Sequence, residues 1–353
     1  MSTTTKLAQW QQDLSNTINS LAALLDFLQL SEEALIPVVA YYALDPKTGH
    51  ASTATPVTDS SNSSKRIDTQ DVPDLKTLLK TFPIRVPYAF AARMRKNDPF
   101  DPLLLQVLPL AQESQWFELG QTDPTHEHPH IATTGLVHRY QGRALLVSSS
   151  ACAIHCRYCF RRHFPYQEHR LDQEMQAVHE HLQAHTDIEE LILSGGDPLT
   201  QKTSYLQKYN TLLASNPHIE RFRIHSRIPI VLPNRIDNEL LAWLTELDLE
   251  INLVLHCNHA QEIDSQVTQT IEKLQNAGVR ILNQAVLLKG INDTLPAQRA
   301  LAKRLSKLGI QYYYLHLLDP VAGGLHYEVS QEHGQALMRA LTEQLPGYML
   351  PRL

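Results

Sequence analysis

The chain has 353 residues, of which 43% are hydrophobic and 19% are charged. This usage is ordinary for a globular protein and excludes a fibrous or wholly disordered chain. The chain has 31 Lys and Arg against 37 Asp and Glu, which gives a net charge of −6. This charge argues against general electrostatic binding to nucleic acid or to an anionic membrane. No run approaches the ~20 apolar residues of a membrane-spanning helix, and the start lacks a secretory signal. We therefore expect a cytoplasmic protein.

The first third of the chain is predicted to be helical. Through residues 6–45, apolar residues recur every three or four positions, which is the period of an amphipathic helix. Residues 47–74 are rich in Ser, Thr, Asp and Pro, so this stretch is predicted to be a mobile polar insertion. A loop rich in His and Pro follows at residues 121–130. We therefore expect an N-terminal helical region over residues 1–125.

Residues 126–353 are predicted to form an α/β domain. Short apolar runs suited to buried parallel strands alternate with helical patterns, and their spacing settles at about 30 residues, the size of one βα unit. Six such units without a Rossmann glycine fingerprint favour a partial (β/α)6 barrel over a doubly wound sheet. Chemistry in a barrel lies at the carboxyl ends of the strands. The predicted strands are residues 144–147, 191–193, 222–225, 251–255, 281–287 and 312–317.

Three of the four cysteines, Cys152, Cys156 and Cys159, lie within eight residues directly after the first predicted strand. Thiolates this close in sequence can hold one small metal centre. A structural zinc site needs four ligands, so His155 or His163 would have to complete it. Three thiolates on a four-iron cluster instead leave one iron open for an exogenous ligand. The spacing favours the iron–sulfur cluster, with zinc and unligated core cysteines as the alternatives.

Two further motifs follow predicted strands. Ser194, Gly195, Gly196 and Asp197 come after the second strand, where two glycines would let the backbone approach a ligand closely. The same four residues would also suit a simple turn. Asp293 lies just past the fifth strand and is either a ligand-binding carboxylate or a cap for the helix that follows.

Arginines are concentrated around the cysteines. Arg157, Arg161 and Arg162 lie in the cysteine loop, and Arg139 and Arg143 come just before the first strand. A guanidinium pairs with both oxygens of a carboxylate or phosphate, so these side chains are candidates for holding an amino-acid carboxylate or a cofactor phosphate. A solvated basic surface is the alternative.

These motifs together resemble a known family. The spacing Cys-x3-Cys-x2-Cys, with Tyr158 before the last cysteine, resembles the signature of the radical S-adenosylmethionine (SAM) enzymes. Over roughly residues 84–352 the chain resembles lysine 2,3-aminomutase, through the segments 143–166, 194–199, 225–235, 256–259 and 283–293. It is most similar to the EpmB-type branch, which makes (R)-β-lysine for modification of elongation factor P, because the loop reads Cys-Arg-Tyr-Cys-Phe-Arg-Arg-His-Phe-Pro-Tyr.

The resemblance implies an isomerase that converts L-lysine into β-lysine, on a radical SAM partial barrel with an N-terminal helical extension. It implies three cofactors, each with its own residues: a 4Fe-4S cluster on Cys152, Cys156 and Cys159, SAM at Ser194, Gly195, Gly196 and Asp197, and the phosphate of pyridoxal 5′-phosphate (PLP) at Arg139 and Arg143. It places the lysine carboxylate on Arg161 and the distal ammonium on Asp293.

The resemblance also has implications for partners and for PLP attachment. It implies an electron donor such as flavodoxin or ferredoxin, a functional link to elongation factor P and its ligase, and no membrane or direct nucleic-acid partner. The family's PLP-anchoring lysine lies beyond a Gly-Tyr-x-x-Pro stretch, here residues 347–351, and no lysine follows Lys307. We therefore expect loose PLP binding by this chain. A radical SAM enzyme without PLP and a non-catalytic metal-binding protein are the alternatives.

Overall fold

The computed structural model describes residues 7–43, 79–166 and 175–353. The insertion predicted at residues 47–74 lies outside these ranges. Among the described helices, none combines the length and apolar character needed to cross a membrane. The helices are α1 Gln9–Ser15, α2 Leu21–Leu28, α3 Ile36–Tyr42, α4 Tyr88–Ala91, α5 Gln112–Gln115, α6 Met175–Ala184, α7 Thr203–Leu206, α8 Lys208–Ala214, α9 Ile228–Val231, α10 Asn238–Glu246, α11 Ser265–Asn276, α12 Leu295–Lys307 and α13 Gln331–Gln344.

A single large sheet organises the described chain. Eight of its strands are hydrogen-bonded in the order β10-β9-β8-β7-β6-β5-β4-β3. Strands β5 to β10 are parallel, and β3 and β4 continue the sheet in antiparallel fashion. The strands are β1 Thr17–Ile18, β2 Val86–Pro87, β3 Ile131–Thr133, β4 Leu136–Tyr140, β5 Arg143–Ser149, β6 Glu190–Gly195, β7 Arg221–Ser226, β8 Glu250–His256, β9 Arg280–Val286 and β10 Gln311–His316. All six predicted strands are present, which confirms the (β/α)6 prediction.

The parallel strands curve into an open barrel. One cavity of about 220 Å³ is lined by side chains from five successive strands, β6 to β10, and a flat sheet could not bring those strands around one space. The edge strands β3 and β10 are not paired with each other, so the barrel is partial, as predicted. Its lining residues at the amino ends of the strands are Glu190, Arg221, Arg223, Glu250, Asn252, Arg280, Leu282, Gln311 and Tyr313.

Strand β7 shows how sequence divides the two faces of the sheet. Phe222 and Ile224 are buried, and the Phe222 ring packs edge-on against Trp243 of α10 at 6.2 Å between centroids. Arg223 and the other odd-numbered residues alternate with them and face the opposite way, because successive strand side chains point to opposite faces. On β7, the helix-facing side is therefore apolar, while the side that faces the barrel interior is polar.

The prediction of one continuous amphipathic helix over residues 6–45 is wrong. Three helices, α1, α2 and α3, occupy this stretch, and β1 interrupts them by pairing antiparallel with β2. The interruption has a local cause, since the Ser20 hydroxyl accepts a hydrogen bond from the Ala23 amide and begins a new helix. The apolar positions are nevertheless buried as their spacing indicates, and Leu24 and Leu28 join the same hydrophobic cluster as the barrel residues.

A buried ion-pair network fastens the cysteine loop to the N-terminal region. Glu113 of α5 accepts hydrogen bonds from Arg157 Nε at 2.8 Å, from a second Arg157 nitrogen, and from Arg162 NH2 at 2.9 Å. All three side chains are fully buried. Burial by itself would raise the pKa of Glu113, but the two guanidinium groups hold it below its ordinary value. The carboxylate is therefore the counter-charge for two buried cations.

We predict that Glu113→Gln destabilises the fold by about 3–5 kcal/mol, because it leaves two buried guanidinium groups without a counter-charge. The matched control is Glu189→Gln, which breaks the more exposed pair with Arg221 and should cost about 0–1 kcal/mol. Urea denaturation followed by circular dichroism measures both. Equal losses for the two variants would contradict the assigned role of Glu113.

Candidate active site

The three clustered cysteines lie at the carboxyl edge of the sheet, directly after β5. The turn is tight, since the Cys159 amide donates to the Cys156 carbonyl at 3.0 Å. Burial and then the neighbouring Cys156 thiol raise the pKa of Cys159 to about 11, so the sulfurs are near one another. They are nevertheless not all within 4.8 Å of one another. One tetrahedral zinc with bonds of ~2.3 Å would require sulfurs roughly 3.8 Å apart, so the spacing suits a larger cluster better.

The histidines that could complete a zinc site point elsewhere. Nδ1 of His155 contacts the Pro83 carbonyl at 2.7 Å, and Nε2 of His163 contacts the Ala322 carbonyl at 3.0 Å. Across the described ranges, no group of His, Cys and acidic side chains that includes a cysteine is compact enough for one ion. The donor set therefore fits an iron–sulfur cluster on three thiolates, with one iron left open.

Arg227 directly follows β7, two strands along the sheet from β5, and reaches the cysteine loop. Its NH1 donates to Cys156 Sγ at 2.6 Å and to the Tyr158 hydroxyl at 2.8 Å. Its NH2 is held by Glu262 at 3.0 Å. A buried cation that donates to sulfur stabilises a thiolate ligand. The sequence analysis did not single out this arginine.

The two glycines after β6 make room for the chain that leads into the cysteines. A Cβ on Gly195, whose φ is +119°, would lie 2.5 Å from the Ser149 carbonyl oxygen. A Cβ on Gly196 would lie 2.4 Å from the Ala151 carbonyl oxygen. The Gly196 amide donates to the Ser149 carbonyl at 2.6 Å. The close approach expected of these glycines is thus to the protein's own backbone just before Cys152.

Asp197 connects the loops that follow β6 and β7. Its buried carboxylate accepts from the Ser226 hydroxyl at 2.8 Å and from the main-chain amides of Arg227 at 2.8 Å, Leu199 at 3.0 Å and Ile228 at 3.1 Å. These hydrogen bonds offset part of the effect of burial, which raises the pKa of Asp197 to about 6. The carboxylate therefore fixes the position of Arg227, and hence of the donor to Cys156.

Arg161, the predicted partner of a substrate carboxylate, already binds a carboxylate. Its Nε and NH2 donate to the two oxygens of Glu127 at 2.9 and 2.5 Å, and its NH1 donates to the Ser194 hydroxyl at 2.6 Å. Glu127 lies in the His- and Pro-rich loop at residues 121–130. The structure thus brings Arg161 and Ser194 together beside the cysteines, in a geometry that binds carboxylates.

The described contacts of Asp293 are with other elements of the fold. Its carboxylate accepts from the Gly290 amide at 3.0 Å, and its main-chain oxygen is 2.7 Å from His333 Nε2 on α13. Its charge also acts on Tyr42 of α3. The helix-cap alternative is not observed either, because α12 begins after Thr294, whose side chain makes no cap.

Asp319 is an acidic residue that the sequence analysis missed. It follows β10 and is half-buried, and burial followed by the like charge of Glu127 raises its pKa. Among the described residues, Glu127 is the one charged group acting on it. An acidic pair at this point favours a cationic ligand. The available signal was an Asp-Pro pair just past the last predicted strand, as in Asp197-Pro198.

Arg139 and Arg143 lie at the opposite edge of the barrel. Arg143 begins β5, so it is separated by roughly 20 Å from Ser149 at the other end of the same strand. Its guanidinium stacks on the Tyr140 ring at 4.2 Å, while Arg139 donates to the Thr125 carbonyl at 2.9 Å. The structure does not bring these arginines together with the cysteine loop.

The barrel interior between the two edges has unmet hydrogen-bonding capacity. Nε2 of His225 and Oδ1 of Asn252 are shielded from solvent and have no hydrogen-bond partner in the described structure. Burial first, then nearby cations, lower the pKa of His225 to about 3, so its ring is neutral near pH 7. Buried polar atoms without a hydrogen-bond partner lower the free energy of unfolding. They fit an interior that receives a polar ligand.

Known proteins share these features. Residues 141–218 match a family model described as a 4Fe-4S single cluster domain, and they contain all three clustered cysteines. A crystal structure of a radical SAM methyltransferase from Sphaerobacter thermophilus is similar with a TM-score of 0.45 and 15% identity, over 62% of this chain and 67% of that one. The strand order by itself defines the partial (β/α)6 barrel, and residues 141–218 of that barrel match the iron–sulfur cluster domain.

The sequence relatives are more specific. The chain is 44% identical over 275 residues to the L-lysine 2,3-aminomutase of Escherichia coli (strain K12), covering 78% of this chain and 80% of that protein. It is 42% identical over 275 residues to the L-lysine 2,3-aminomutase of Buchnera aphidicola subsp. Baizongia pistaciae (strain Bp), covering 78% and 81%. The chain therefore belongs to the L-lysine 2,3-aminomutase family, as the resemblance predicted.

We predict that replacing Cys152, Cys156 or Cys159 by Ala removes the cluster, because two thiolates cannot hold a four-iron centre with its open iron correctly placed. Iron and sulfide analysis after anaerobic reconstitution is the measurement. Cys257→Ala is the matched control, since Cys257 is buried in the core and its thiol donates to the His259 carbonyl. A proportional loss of iron in that control would refute the three-cysteine assignment.

Proposed function

We propose that this protein is a radical SAM isomerase that converts L-lysine into β-lysine. The observation that carries the proposal is the arrangement of charges beside the cysteines. Arg161 is already engaged with a carboxylate there, and Asp319 lies near that same carboxylate without a described cation acting on it. An α-amino acid with a distal ammonium matches both charges. The names of the relatives support the same substrate.

The chain offers adjacent places for the 4Fe-4S cluster and for SAM. Cys152, Cys156 and Cys159 would hold a 4Fe-4S cluster, and the segment from Ser194 to Asp197 beside them would border SAM. When bound, SAM and the cluster would supply the radical chemistry for hydrogen removal, and PLP would supply the ring that supports nitrogen migration. Arg227 would stabilise the Cys156 ligand through its hydrogen bond to sulfur.

The polar interior supports PLP binding with its phosphate toward the amino edge. Arg143 begins β5, where its neighbour in register is Glu190 of β6. Glu190 also lines the 220 Å³ cavity, where Arg221, Arg223 and Arg280 each pair with a glutamate. Guanidinium groups are suited to phosphate, and the unpartnered His225 and Asn252 lie on adjacent strands of the same barrel. Arg143, with Arg139 beside it, would bind the phosphate from this edge.

The Glu127 carboxylate would occupy the place of the substrate carboxylate on Arg161 when no substrate is bound. Lysine could reach Arg161 only by displacing Glu127, because the guanidinium uses both its Nε and NH2 donors on that carboxylate. The released Glu127 and the half-buried Asp319 would then both be available to the ammonium group. A site that must pair both ends of its ligand rejects shorter and uncharged amino acids, since an unpaired buried charge is expensive.

The wider role proposed is supply of (R)-β-lysine for modification of elongation factor P, in the cytoplasm, with flavodoxin or ferredoxin as electron donor. The support is the loop sequence that runs from Cys156 to Tyr166. The deciding experiment is anaerobic incubation of the reduced, cluster-loaded protein with L-lysine, SAM and PLP, followed by chiral chromatography of the products. We expect (R)-β-lysine. A cluster-loaded protein that cleaves SAM but forms no β-lysine would refute the proposed reaction.

We predict that Asp319→Asn raises KM for lysine by roughly 30-fold, equivalent to about 2 kcal/mol for a substrate charge that loses its partner. Binding of SAM and PLP should change little, because neither requires this charge. Steady-state β-lysine formation gives KM and kcat.

Asp293→Asn is the control for Asp319→Asn, because an amide oxygen can still accept the Gly290 hydrogen bond. It should leave KM for lysine near the unmodified value. If Asp293→Asn raised KM and Asp319→Asn did not, the ammonium site would be at Asp293, as the sequence analysis expected.

A further inference from the structure

Three histidines form a compact group on the outside of the barrel. His138 lies on β4, His181 lies on α6, and His185 follows the end of that helix. One ring nitrogen from each can be chosen so that all three lie within 4.8 Å of one another. Among groups of three or more His, Cys, Asp or Glu side chains in the described ranges, this is the one compact enough to hold a metal ion.

The local backbone explains why the three rings converge. His181 and His185 are four residues apart, a spacing that places side chains on one face of a helix. On β4, His138 shares a face with Leu136, which is fully buried on the helix-covered side of the sheet. The strand and the helix therefore present their imidazoles to each other, across the sheet from the barrel interior.

The distances suit metal coordination. Nδ1 of His138 and Nε2 of His181 are 3.0 Å apart, and the rings of His181 and His185 are 4.2 Å apart between centroids. Two imidazole nitrogens on one tetrahedral zinc lie roughly 3.3 Å apart, given Zn–N bonds of ~2.0–2.1 Å. Only small movements of the rings would be required to bind one ion.

Three converging imidazoles are a donor set that suits a transition-metal ion. Burial lowers the pKa of His181, and His185 and His138 lower it further. No described carboxylate is among the groups that act on it. Neutral imidazoles are the ligands preferred by zinc, nickel, copper and cobalt, and binding such an ion releases whatever protons the ligands hold.

We propose that His138, His181 and His185 bind one divalent transition-metal ion, separate from the iron–sulfur cluster. Three imidazoles supply three positions of a tetrahedral site, and water completes the fourth. The ion links the first barrel helix to the antiparallel edge of the sheet. It acts as a clamp on the outer face and takes no part in the chemistry of the interior.

The test uses tag-free, cluster-loaded protein under anaerobic conditions, because a histidine tag would bind the same metals. Titration with Co²⁺, read as a difference spectrum against the same cluster-loaded protein, should add the visible bands of a tetrahedral site. No new Co²⁺–thiolate charge-transfer band should appear, which separates this site from the cysteines. Calorimetric titration with Zn²⁺ gives the stoichiometry. We expect one ion in addition to the cluster iron, and a rise in Tm with Zn²⁺ because the ion binds only the folded state.

His185→Gln should weaken Zn²⁺ binding roughly 100-fold or more, since loss of even an outer-shell partner costs 10–100-fold. The matched control is His179→Gln on the same helix, because Nδ1 of His179 contacts Asn216 at 3.1 Å instead of joining the group. That control should bind Zn²⁺ like the unmodified protein. Iron content and the cluster spectrum report folding in each variant.

His138→Gln provides a second test from the strand side, in case His185→Gln fails to fold. It should also weaken binding. The proposal is overturned if the unmodified protein takes up no ion beyond its iron. It is also overturned if Zn²⁺ binds equally well to folded His185→Gln or His138→Gln.

Discussion

The buried carboxylate of Glu113 is the interaction on which the geometry of the site depends. The cysteine loop has little regular structure of its own, and Arg157 and Arg162 project from it into the interior. Burial of two guanidinium groups there depends on the one carboxylate that pairs with both and accepts their hydrogen bonds. A short N-terminal helix therefore determines where the cluster cysteines lie, although it contributes no ligand itself.

A second set of contacts joins the loops at the carboxyl edge into one unit. Asp197 uses both carboxylate oxygens to hold the chain after β7, and that chain presents Arg227 to Cys156. The glycines before Asp197 allow the same segment to pack on the backbone leading into Cys152. Residues that the resemblance associates with SAM thus hold the cysteine loop in place through main-chain contacts.

The electrostatic design of the interior differs between its two ends. The carboxyl edge combines the Arg161–Glu127 pair with the nearby Asp319, while the amino edge carries several arginine–glutamate pairs around a cavity. Histidines between them, including His225, are kept neutral by burial. Under the proposed function, the first end would receive the carboxylate and ammonium of lysine, and the second end would receive the phosphate of PLP. This difference in charged groups between the two ends of the barrel links the proposed reaction to the fold.

Local patterns in the sequence determined the six parallel strands, the order of the βα units, and the spacing of Cys152, Cys156 and Cys159. Such features depend on neighbours along the chain, so periodicity and spacing suffice to predict them. The helix over residues 6–45 was wrong because a cap at Ser20 and pairing with a distant strand overrode a continuous apolar period.

Other features were decided by tertiary structure alone. Glu113 meets Arg157 across 44 residues, His138 meets His181 across 43, and Arg227 meets Cys156 across 71. Asp319 becomes a candidate over Asp293 only when the barrel brings it near Glu127. These partners are chosen by the curvature of the sheet and the path of its loops, and no pattern in the sequence encodes which distant charges will be buried together.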